Sequence, residues 1–116
     1  MCNHMVVQMD ALTDDEVDAL FRALADRTRR DIVARVIDAE QSVSALAERY
    51  SMSFAAVQKH VSVLERASLV AKRRRGREQI VTADLAAVRR ARAVLDAYEQ
   101  LWRHRAAQID ALLAEG

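Results

Sequence analysis

Residues that interrupt secondary structure are scarce in this chain of 116 residues, which has no proline and only two glycines. Proline and glycine break helices and form most tight turns, so their scarcity favours a mostly helical protein with few shaped loops. Aromatic residues are also few, at 4% of the sequence, whereas hydrophobic residues make up 52%. We expect a chain of this length to form one domain that gains much of its stability from dimerisation.

Cysteine usage and apolar segments indicate where the protein is located. The single cysteine, Cys2, cannot form a disulfide within the chain, which fits a reducing compartment. The first residues lack the basic start and the apolar run of a signal peptide, and no stretch is long and apolar enough to cross a bilayer. We therefore expect a cytoplasmic protein with no membrane partner.

Catalytic patterns are missing as well. The sequence has no Ser–His–Asp spacing, no paired carboxylates in a strand context, no glycine-rich phosphate loop and no HExxH motif. The acidic residues are scattered over amphipathic segments, where they are typical of solvated helix faces. We therefore expect a protein that is not an enzyme and that needs no cofactor.

Positive charge is concentrated in one short segment. The formal net charge is only +1, yet five of the 18 cations lie in residues 72–77, so the other 13 stand against 17 anions, a net −4. Sixteen of the cations are arginines, a bias that is also typical of GC-rich genomes. The clustering, rather than the abundance of arginine, indicates a binding patch for an anionic partner.

Residues 44–67 have the pattern of two helices joined by a tight turn. A short amphipathic segment, 44–50, is interrupted at 51–53, and Ser53 is a good N-cap for the next helix. The apolar residues of that helix recur at helical spacing and turn its polar residues outward. The inward set is Val57, Val61 and Leu64, and the outward set is Gln58, Lys59 and Ser62, with His60 on the border. This arrangement is typical of a helix-turn-helix with a polar recognition surface.

A basic hairpin, which we call the wing (residues 69–82), follows the second helix. Two strand-like runs, 69–72 and 78–82, flank the segment 73–77. That segment consists of Arg73, Arg74, Arg75, Gly76 and Arg77. Gly76 allows the tight turn that presents the arginines. A helix-turn-helix with a cationic wing is a surface shaped for duplex DNA.

Helix-start signals divide the rest of the chain. Thr13 and Glu16 have the spacing of a capping box, and Asp26 and Asp84 are N-cap candidates for a second and a last helix. The expected apolar faces are Val17, Leu20, Phe21 and Leu24 on the first helix, and Ile32, Val33, Val36 and Ile37 on the second. We predict a flexible arm at 1–12 and a winged domain at 13–116. Within the winged domain we expect a polar connection at 38–42, the helix-turn-helix at 44–67, the wing at 69–82 and a long helix at 84–114.

The last predicted helix carries an apolar seam with alternating steps of three and four residues, interrupted only by Arg105. Its positions are 88, 91, 95, 98, 102, 105, 109 and 112. The seam can pack on the chain's own core, but a helix of about 30 residues is about 45 Å long and overhangs a domain of this size. The surplus stripe therefore predicts a symmetric homodimer. The expected interface residues are Phe21, Leu95, Tyr98, Trp102, Ile109 and Leu112.

Several motifs in combination resemble the ArsR-type winged-helix repressors over residues 17–113. Residues 24–32 resemble the family's opening signature, with Arg27 where a proline is common. Residues 44–47, 56–61 and 64–70 resemble its helix-turn-helix and wing entry, and Trp102, Arg105 and Ile109 resemble a subgroup with a tryptophan-rich dimer seam and no metal site. The resemblance implies a mostly α fold with a small β-hairpin wing, which dimerises through its long last helix.

The motifs with which members of this family bind metals are missing. A Cys-x-Cys pair at the start of the third helix corresponds to Ser-Val-Ser at 42–44, and serine hydroxyls cannot replace thiolates. For the repeated Asp and His ligands of the last helix, this helix offers only His104, with no second histidine one or three turns away. We therefore predict no metal site, while Cys2 and His4 leave a non-standard role in metal binding or redox chemistry open.

Residue chemistry suggests how each part contacts DNA. Gln58 can bind adenine bidentately, and Lys59 or Ser62 can reach base edges or phosphates. Ser53 and the N–H groups after it can anchor a phosphate, while His60 fits a packing role and a phosphate contact equally well. Each of these polar residues can instead serve solubility alone. The wing residues expected to contact phosphates or the minor groove are Arg73, Arg74, Arg75 and Arg77.

We therefore predict a sequence-specific DNA-binding transcriptional regulator, a repressor that binds an inverted-repeat operator as a homodimer, with no effector identified. Two alternatives stay open. One is a sensor repressor that responds to a metal or small ligand through a non-standard site, and the other is a winged helix used as a protein-interaction module. A protein-binding module has little use for five cations in six positions, so the wing charge favours DNA.

Overall fold

The computed structural model describes residues 13–115, in which five helices and three strands form a winged helix-turn-helix. The helices are α1 (Asp14–Leu24), α2 (Arg27–Asp38), α3 (Val43–Ala47), α4 (Phe54–Arg66) and α5 (Leu85–Glu115). The strands are β1 (Gln41–Ser42), β2 (Val70–Arg75) and β3 (Glu78–Ala83). The predicted arm at 1–12, with Cys2 and His4, lies outside the described residues. The predicted mostly α fold with a small β wing and a long last helix is confirmed.

Short polar side chains begin the helices at the predicted places. Thr13 and Glu16 form the predicted capping box, because each side chain accepts a hydrogen bond from the backbone N–H of the other. Asp26 and Ser53 cap α2 and α4 by accepting from backbone N–H groups three residues later. Asp84 accepts from an N–H two residues later at the start of α5. The starts of these four helices therefore follow from local hydrogen bonds.

The first helix of the helix-turn-helix begins earlier and is shorter than predicted. It spans five residues instead of the range 44–50, because Ser42 acts as its N-cap and accepts from the N–H of Ala45 at 3.0 Å. Beyond the helix, the N–H groups of Arg49 and Tyr50 bond to carbonyl groups three positions back, so regular α-helix gives way to a turn. Tyr50 still packs, partly buried, against the core.

The wing belongs to a three-stranded antiparallel sheet with the strand order β1-β3-β2. The prediction of a polar connection at 38–42 missed one element. This segment contains β1, in which Ser42 pairs with Ile80 of β3. Two residues are too few to show the alternation that signals a strand, and this strand is specified by its partner rather than by its own sequence.

The wing strands are longer than predicted, and the loop between them is shorter. Arg73, Arg74 and Arg75 belong to β2 and pair with residues of β3, although the sequence suggested a loop. The strand tolerates consecutive arginines because alternate side chains point to opposite faces. The turn consists of Gly76 and Arg77, and Gly76 has a φ of +62°, a conformation that favours glycine.

The core lies where α2, α3, α4 and the sheet meet. Its largest fully buried side chains are Ile32, Leu46, Val57, Val61, Leu64, Leu69 and Val81. The predicted inward face of α4 is therefore confirmed. Ile37, in contrast, was predicted to be buried but is 51% exposed, because it lies in the last turn of α2 and borders a shallow surface groove together with Leu85.

Within the described residues, α5 buries side chains only along its first third. Ala87, Ala91 and Val94 are buried, whereas the large apolar residues from Leu95 onward are exposed. The helix has 31 residues and is about 46 Å long at about 1.5 Å per residue, so most of it projects beyond the core. Between residues 13 and 115 we find no helix that combines the length and the hydropathy needed to cross a membrane.

Candidate DNA-binding interface

Helix α4 presents a shallow groove on the side that does not face the core. Its inward residues are fully buried, which fixes the rotation of the helix about its axis. The groove is lined by Ser53, Ala55, Ala56, Gln58, Lys59 and Ser62. Four of these six were predicted to contact DNA, and the structure brings them together on one surface. The two alanines between them leave space for a close approach of another molecule.

The N-terminus of α4 offers backbone N–H groups to an anion. The Oγ atom of Ser53 accepts a hydrogen bond from the N–H of Ala56 at 3.1 Å, so this hydroxyl is used within the helix. First-turn N–H groups, such as those of Phe54 and Ala55, have no acceptor within an α-helix, and the helix dipole makes this end positive. A phosphate at this position would therefore be held by the backbone rather than by the hydroxyl.

Phe54 is an exposed aromatic residue at the edge of this surface, which the helical pattern left unassigned. It is the first residue of α4, is 49% exposed, and lies one turn before Gln58 on the same side of the helix. Apolar side chains near the start of a recognition helix can contact thymine methyl groups. The signal that points to it is its place directly after the N-cap, outside the buried face.

His60 is directed toward α2 and does not line the groove. Its Nδ1 atom lies 3.4 Å from Nη1 of Arg29 and 3.9 Å from Oδ2 of Asp26. A hydrogen bond from the backbone N–H of Arg29 is the main cause of a lowered pKa of Asp26, whose carboxylate therefore stays ionised beside the imidazole at neutral pH. This geometry supports a packing role, and a phosphate contact by His60 stays a prediction.

Arg29 supports the interface although no sequence pattern indicated it. Its Nε atom donates to the carbonyl of Ala23 at 2.8 Å and its Nη2 atom donates to the carbonyl of Arg22 at 3.1 Å. These bonds satisfy carbonyl groups at the end of α1. Because the same guanidinium reaches His60, Arg29 connects α1, α2 and α4. The contact depends on how the helices cross, which is why periodicity does not predict it.

A hydrogen-bond cluster holds the turn of the helix-turn-helix against α2. The Tyr50 hydroxyl donates to Oδ2 of Asp31 at 2.5 Å, and Nε of Arg35 donates to the same oxygen at 2.8 Å. The guanidinium carbon of Arg35 lies 5.8 Å from the centroid of the Tyr50 ring. Burial, together with the bond to Asp31, raises the pKa of Tyr50 to about 12, and that bond lowers the pKa of Asp31. The cluster therefore positions the segment that leads into α4.

The wing cations divide between the two faces of the sheet, because neighbouring side chains of a strand point to opposite faces. Lys72 and Arg74 share one face. The Nζ atom of Lys72 lies 3.4 Å from Oε1 of Glu65 on α4, so this cation is paired within the protein. Arg74 and the turn residue Arg77 are exposed, and neither forms an ion pair with another residue between 13 and 115. These two arginines are thus available to phosphates.

Arg73 and Arg75 share the other face, where both bind Glu40. Their Nη2 atoms lie 2.7 Å and 2.9 Å from the same carboxylate oxygen, Oε1 of Glu40. The hydrogen bond from Arg73 is the main cause of a lowered pKa of Glu40. Glu40 is 33 and 35 residues away from its partners in sequence, so no local pattern could have predicted this contact.

The distal part of α5 exposes the residues that were predicted to form a dimer interface. Tyr98 is 63% exposed and Trp102 is 70% exposed, and with Leu101, Arg105 and Ile109 they line a shallow groove. The other predicted interface residues are Leu95 and Leu112, exposed on the same helix, and Phe21, partly buried on α1. Residues 13–115 of the subunit leave this stripe uncovered, and the partner that covers it stays a prediction.

The positions that correspond to the family's metal ligands are used for capping or are exposed to solvent. Ser42 uses its hydroxyl as the N-cap of α3, and Ser44 and His104 are exposed. Among residues 13–115, the structure groups no three His, Cys, Asp or Glu side chains in a way that could hold a metal ion. The question of Cys2 and His4 falls outside the described residues.

Known proteins match the helix-turn-helix and larger shares of the chain. A family described as a helix-turn-helix domain matches residues 24–73. The HTH-type transcriptional regulator Rv2034 of Mycobacterium tuberculosis is 36% identical over 81 residues, which cover 70% of this chain and 76% of that protein. The HTH-type transcriptional regulator KmtR of the same organism is 40% identical over 70 residues, or 58% of this chain, and the chain spans about half of its length, 54%.

A solved structure shares most of this architecture. The ArsR-like transcriptional regulator from Rhodococcus sp. RHA1 is 33% identical, with a TM-score of 0.76, over 84% of this chain and 92% of that one. The family match over residues 24–73 contains the grooved helix α4 and the first strand residues of the wing, up to Arg73. The chain therefore belongs to the ArsR family of DNA-binding winged helix-turn-helix transcriptional regulators.

Proposed function

We propose that this protein is a repressor that binds an inverted-repeat operator as a homodimer and reads base pairs with α4. The observation that carries the proposal is the groove on α4. The long polar side chains of Gln58 and Lys59 stand beside Ala55 and Ala56, whose small side chains allow the helix to approach the floor of a major groove.

Base recognition and phosphate binding are divided among residues of α4 and the wing. Gln58 binds an adenine edge bidentately, while Lys59 and Ser62 reach base edges or nearby phosphates. The N–H groups at the start of α4 bind one phosphate, and the exposed Arg74 and Arg77 bind others. Base contacts give sequence preference, whereas the phosphate contacts give affinity that is independent of sequence and sensitive to salt.

A second copy of the chain is proposed to cover the exposed stripe of α5. Tyr98, Trp102 and Ile109 follow the alternating spacing at which two helices pack side by side. A two-fold dimer places two α4 helices in symmetric positions, and an inverted repeat has the same symmetry. We propose repression rather than activation because the sequence motifs resemble those of winged-helix repressors.

Selection of bound duplexes from a random pool tests this proposal, with the full chain as the selecting protein. We expect enrichment of an inverted repeat and affinity that falls steeply from low to moderate salt, because phosphate contacts release counterions. A parallel selection with divalent metal ions added tests the sensor alternative, in which the bound fraction changes with metal. Failure to enrich any sequence, or affinity that is flat with salt, would contradict the proposal.

A further inference from the structure

Glu40 occupies guanidinium donors of two wing arginines, Arg73 and Arg75. Its Oε1 atom accepts hydrogen bonds from Arg73 and Arg75 at 2.7 Å and 2.9 Å. Guanidinium groups bind carboxylate and phosphate oxygens with the same donor geometry. A carboxylate that receives two guanidinium groups therefore imitates the contact that a phosphate would make with the same two residues.

The position of Glu40 makes this contact a property of the fold. Glu40 lies between the end of α2 and β1, and β1 is hydrogen-bonded to β3 at Ser42 and Ile80. Arg73 pairs with the same Ile80 from the opposite edge of β3. The sheet thus delivers the carboxylate to the arginine face of the wing by backbone pairing, independently of DNA.

The ion pairs are well formed but solvent-exposed, so they are easily exchanged. The side chains of Arg73, Arg75 and Glu40 are 52%, 58% and 43% exposed. Exposed ion pairs contribute little to folding stability. Removal of the Glu40 charge therefore leaves the fold intact, while the net charge of the three groups changes from +1 to +2.

We propose that Glu40 competes with the phosphates of the DNA backbone for Arg73 and Arg75. Glu40 holds these two arginines in the free protein, and this contact sets the affinity and the salt dependence of DNA binding by the wing. The proposal rests on the wing binding phosphates, as proposed above. Arg74 and Arg77 make first contact with DNA, and the two remaining arginines bind phosphate only after they leave Glu40. The exchange lowers the affinity of the wing for specific and non-specific DNA alike.

The variant Glu40→Gln tests the proposal against Glu78→Gln as a matched control. Glu78 lies on the same face of the sheet, opposite Arg75, and forms no ion pair with any residue between 13 and 115. Both variants remove one negative charge from the wing face, but only the first releases the arginines.

We expect Glu40→Gln to bind a selected duplex and a scrambled duplex about three- to tenfold more tightly at low salt, with a salt slope steeper by about one unit. Glu78→Gln should change either affinity by about twofold or less. In a background with both Arg73→Ala and Arg75→Ala, Glu40→Gln should have no more effect than Glu78→Gln. Circular dichroism and thermal unfolding should be the same for both single variants.

Three results would overturn the inference. Equal effects of Glu40→Gln and Glu78→Gln on DNA affinity would show that Glu40 acts only through its negative charge and not through its contact with the arginines. Weaker binding by Glu40→Gln would mean that Glu40 holds the arginines in position for DNA. If Glu40→Gln still increased DNA affinity in the background with Arg73→Ala and Arg75→Ala, the cause of the increase would not be the release of these arginines. If the wild-type chain binds no duplex in a salt-dependent way, the proposed function itself fails, whereas these results concern Glu40 alone.

Discussion

Helices α4 and α5 carry similar apolar patterns in sequence but bury them very differently. In α4, Val57, Val61 and Leu64 are fully buried by the same subunit. In α5, burial ends at Val94, and Trp102 is 70% exposed. The spacing of apolar residues therefore shows which face of a helix is apolar. The tertiary structure shows whether that face is buried by the same chain.

The difference assigns separate tasks to the two helices. Because α4 satisfies its apolar face within the subunit, its polar face is free to meet another molecule in a fixed orientation. Because α5 does not, its distal half exposes more apolar surface than a monomer in water favours. We therefore expect substitutions in α4 to change folding or base recognition, and substitutions in distal α5 to change association.

Trp102→Ala should have the largest effect on association. Truncation of a buried tryptophan costs about 3–5 kcal/mol, and at an interface between subunits that loss falls on the dimer. We expect monomers in sedimentation at micromolar concentration and loss of operator binding, although the groove on α4 is unchanged.

The matched control is Arg103→Ala, which removes an exposed side chain paired with Glu99 on the same stretch of α5. It should stay dimeric and bind DNA normally. A Trp102→Ala protein that is also dimeric would place the interface elsewhere, with the surface around Phe21 of α1 as the next candidate.

A pair of leucine substitutions compares the two helices directly. Leu64→Ala in α4 should lower the free energy of unfolding by about 2–5 kcal/mol, since this side chain is fully buried. Leu112→Ala in α5, where the side chain is 68% exposed, should leave the unfolding of the winged core unchanged at dilutions where both proteins are monomeric. Its effect should appear as a shift of the dimer dissociation curve to higher concentration. Urea unfolding and dilution experiments measure the two effects, and equal effects on unfolding would remove the distinction.

Gln58→Ala should have an intermediate effect that is confined to base recognition. We expect a loss of about 1–3 kcal/mol on the selected duplex and a relaxed preference at one base pair, because a bidentate contact is lost. Gln108→Ala on α5 is the control for loss of a glutamine side chain. A repeated selection with the variant measures the outcome, and an unchanged sequence profile would show that α4 sits in the groove in another register.

The smallest expected effect concerns the cluster that positions the turn before α4. The pKa of Asp31 is lowered, chiefly by the hydrogen bond from Tyr50, so its ionised form stabilises the folded state at pH values above 3.8, the ordinary value. Asp31→Asn should therefore reduce stability at neutral pH, by at most about 1 kcal/mol because the side chain is partly exposed. The difference from wild type should shrink as the pH falls below that value. Urea unfolding at several pH values measures it, with Asp110→Asn, at an exposed position of α5, as the control for loss of a carboxylate.

Local signals predicted much of the fold. The capping box at Thr13 and the N-caps at Asp26 and Ser53 are formed by residues a few positions apart, so sequence spacing alone indicates them. The buried face of α4 follows from periodicity for the same reason. Ile37 shows the limit of this reasoning, since periodicity does not reveal where the covering elements end.

Contacts between distant segments could not be predicted in this way. β1 is too short to show alternation, and the bonds of Arg29 and Glu40 join residues of different elements. The sequence identified the wing arginines as a single cluster. The structure divides them into an exposed pair and a pair held by Glu40, because strand pairing sends neighbouring side chains to opposite faces.

The central claim, that a dimer presents two α4 helices to one face of DNA, is tested most directly by changing the spacing of the half-sites in the selected duplex. An insertion of about five base pairs, half a helical turn, moves one half-site to the opposite side of the duplex. We predict that this insertion reduces binding nearly to that of a scrambled duplex, while an insertion of about ten base pairs restores part of it. Binding that is equal for all spacings, with both half-sites intact, would contradict the claim.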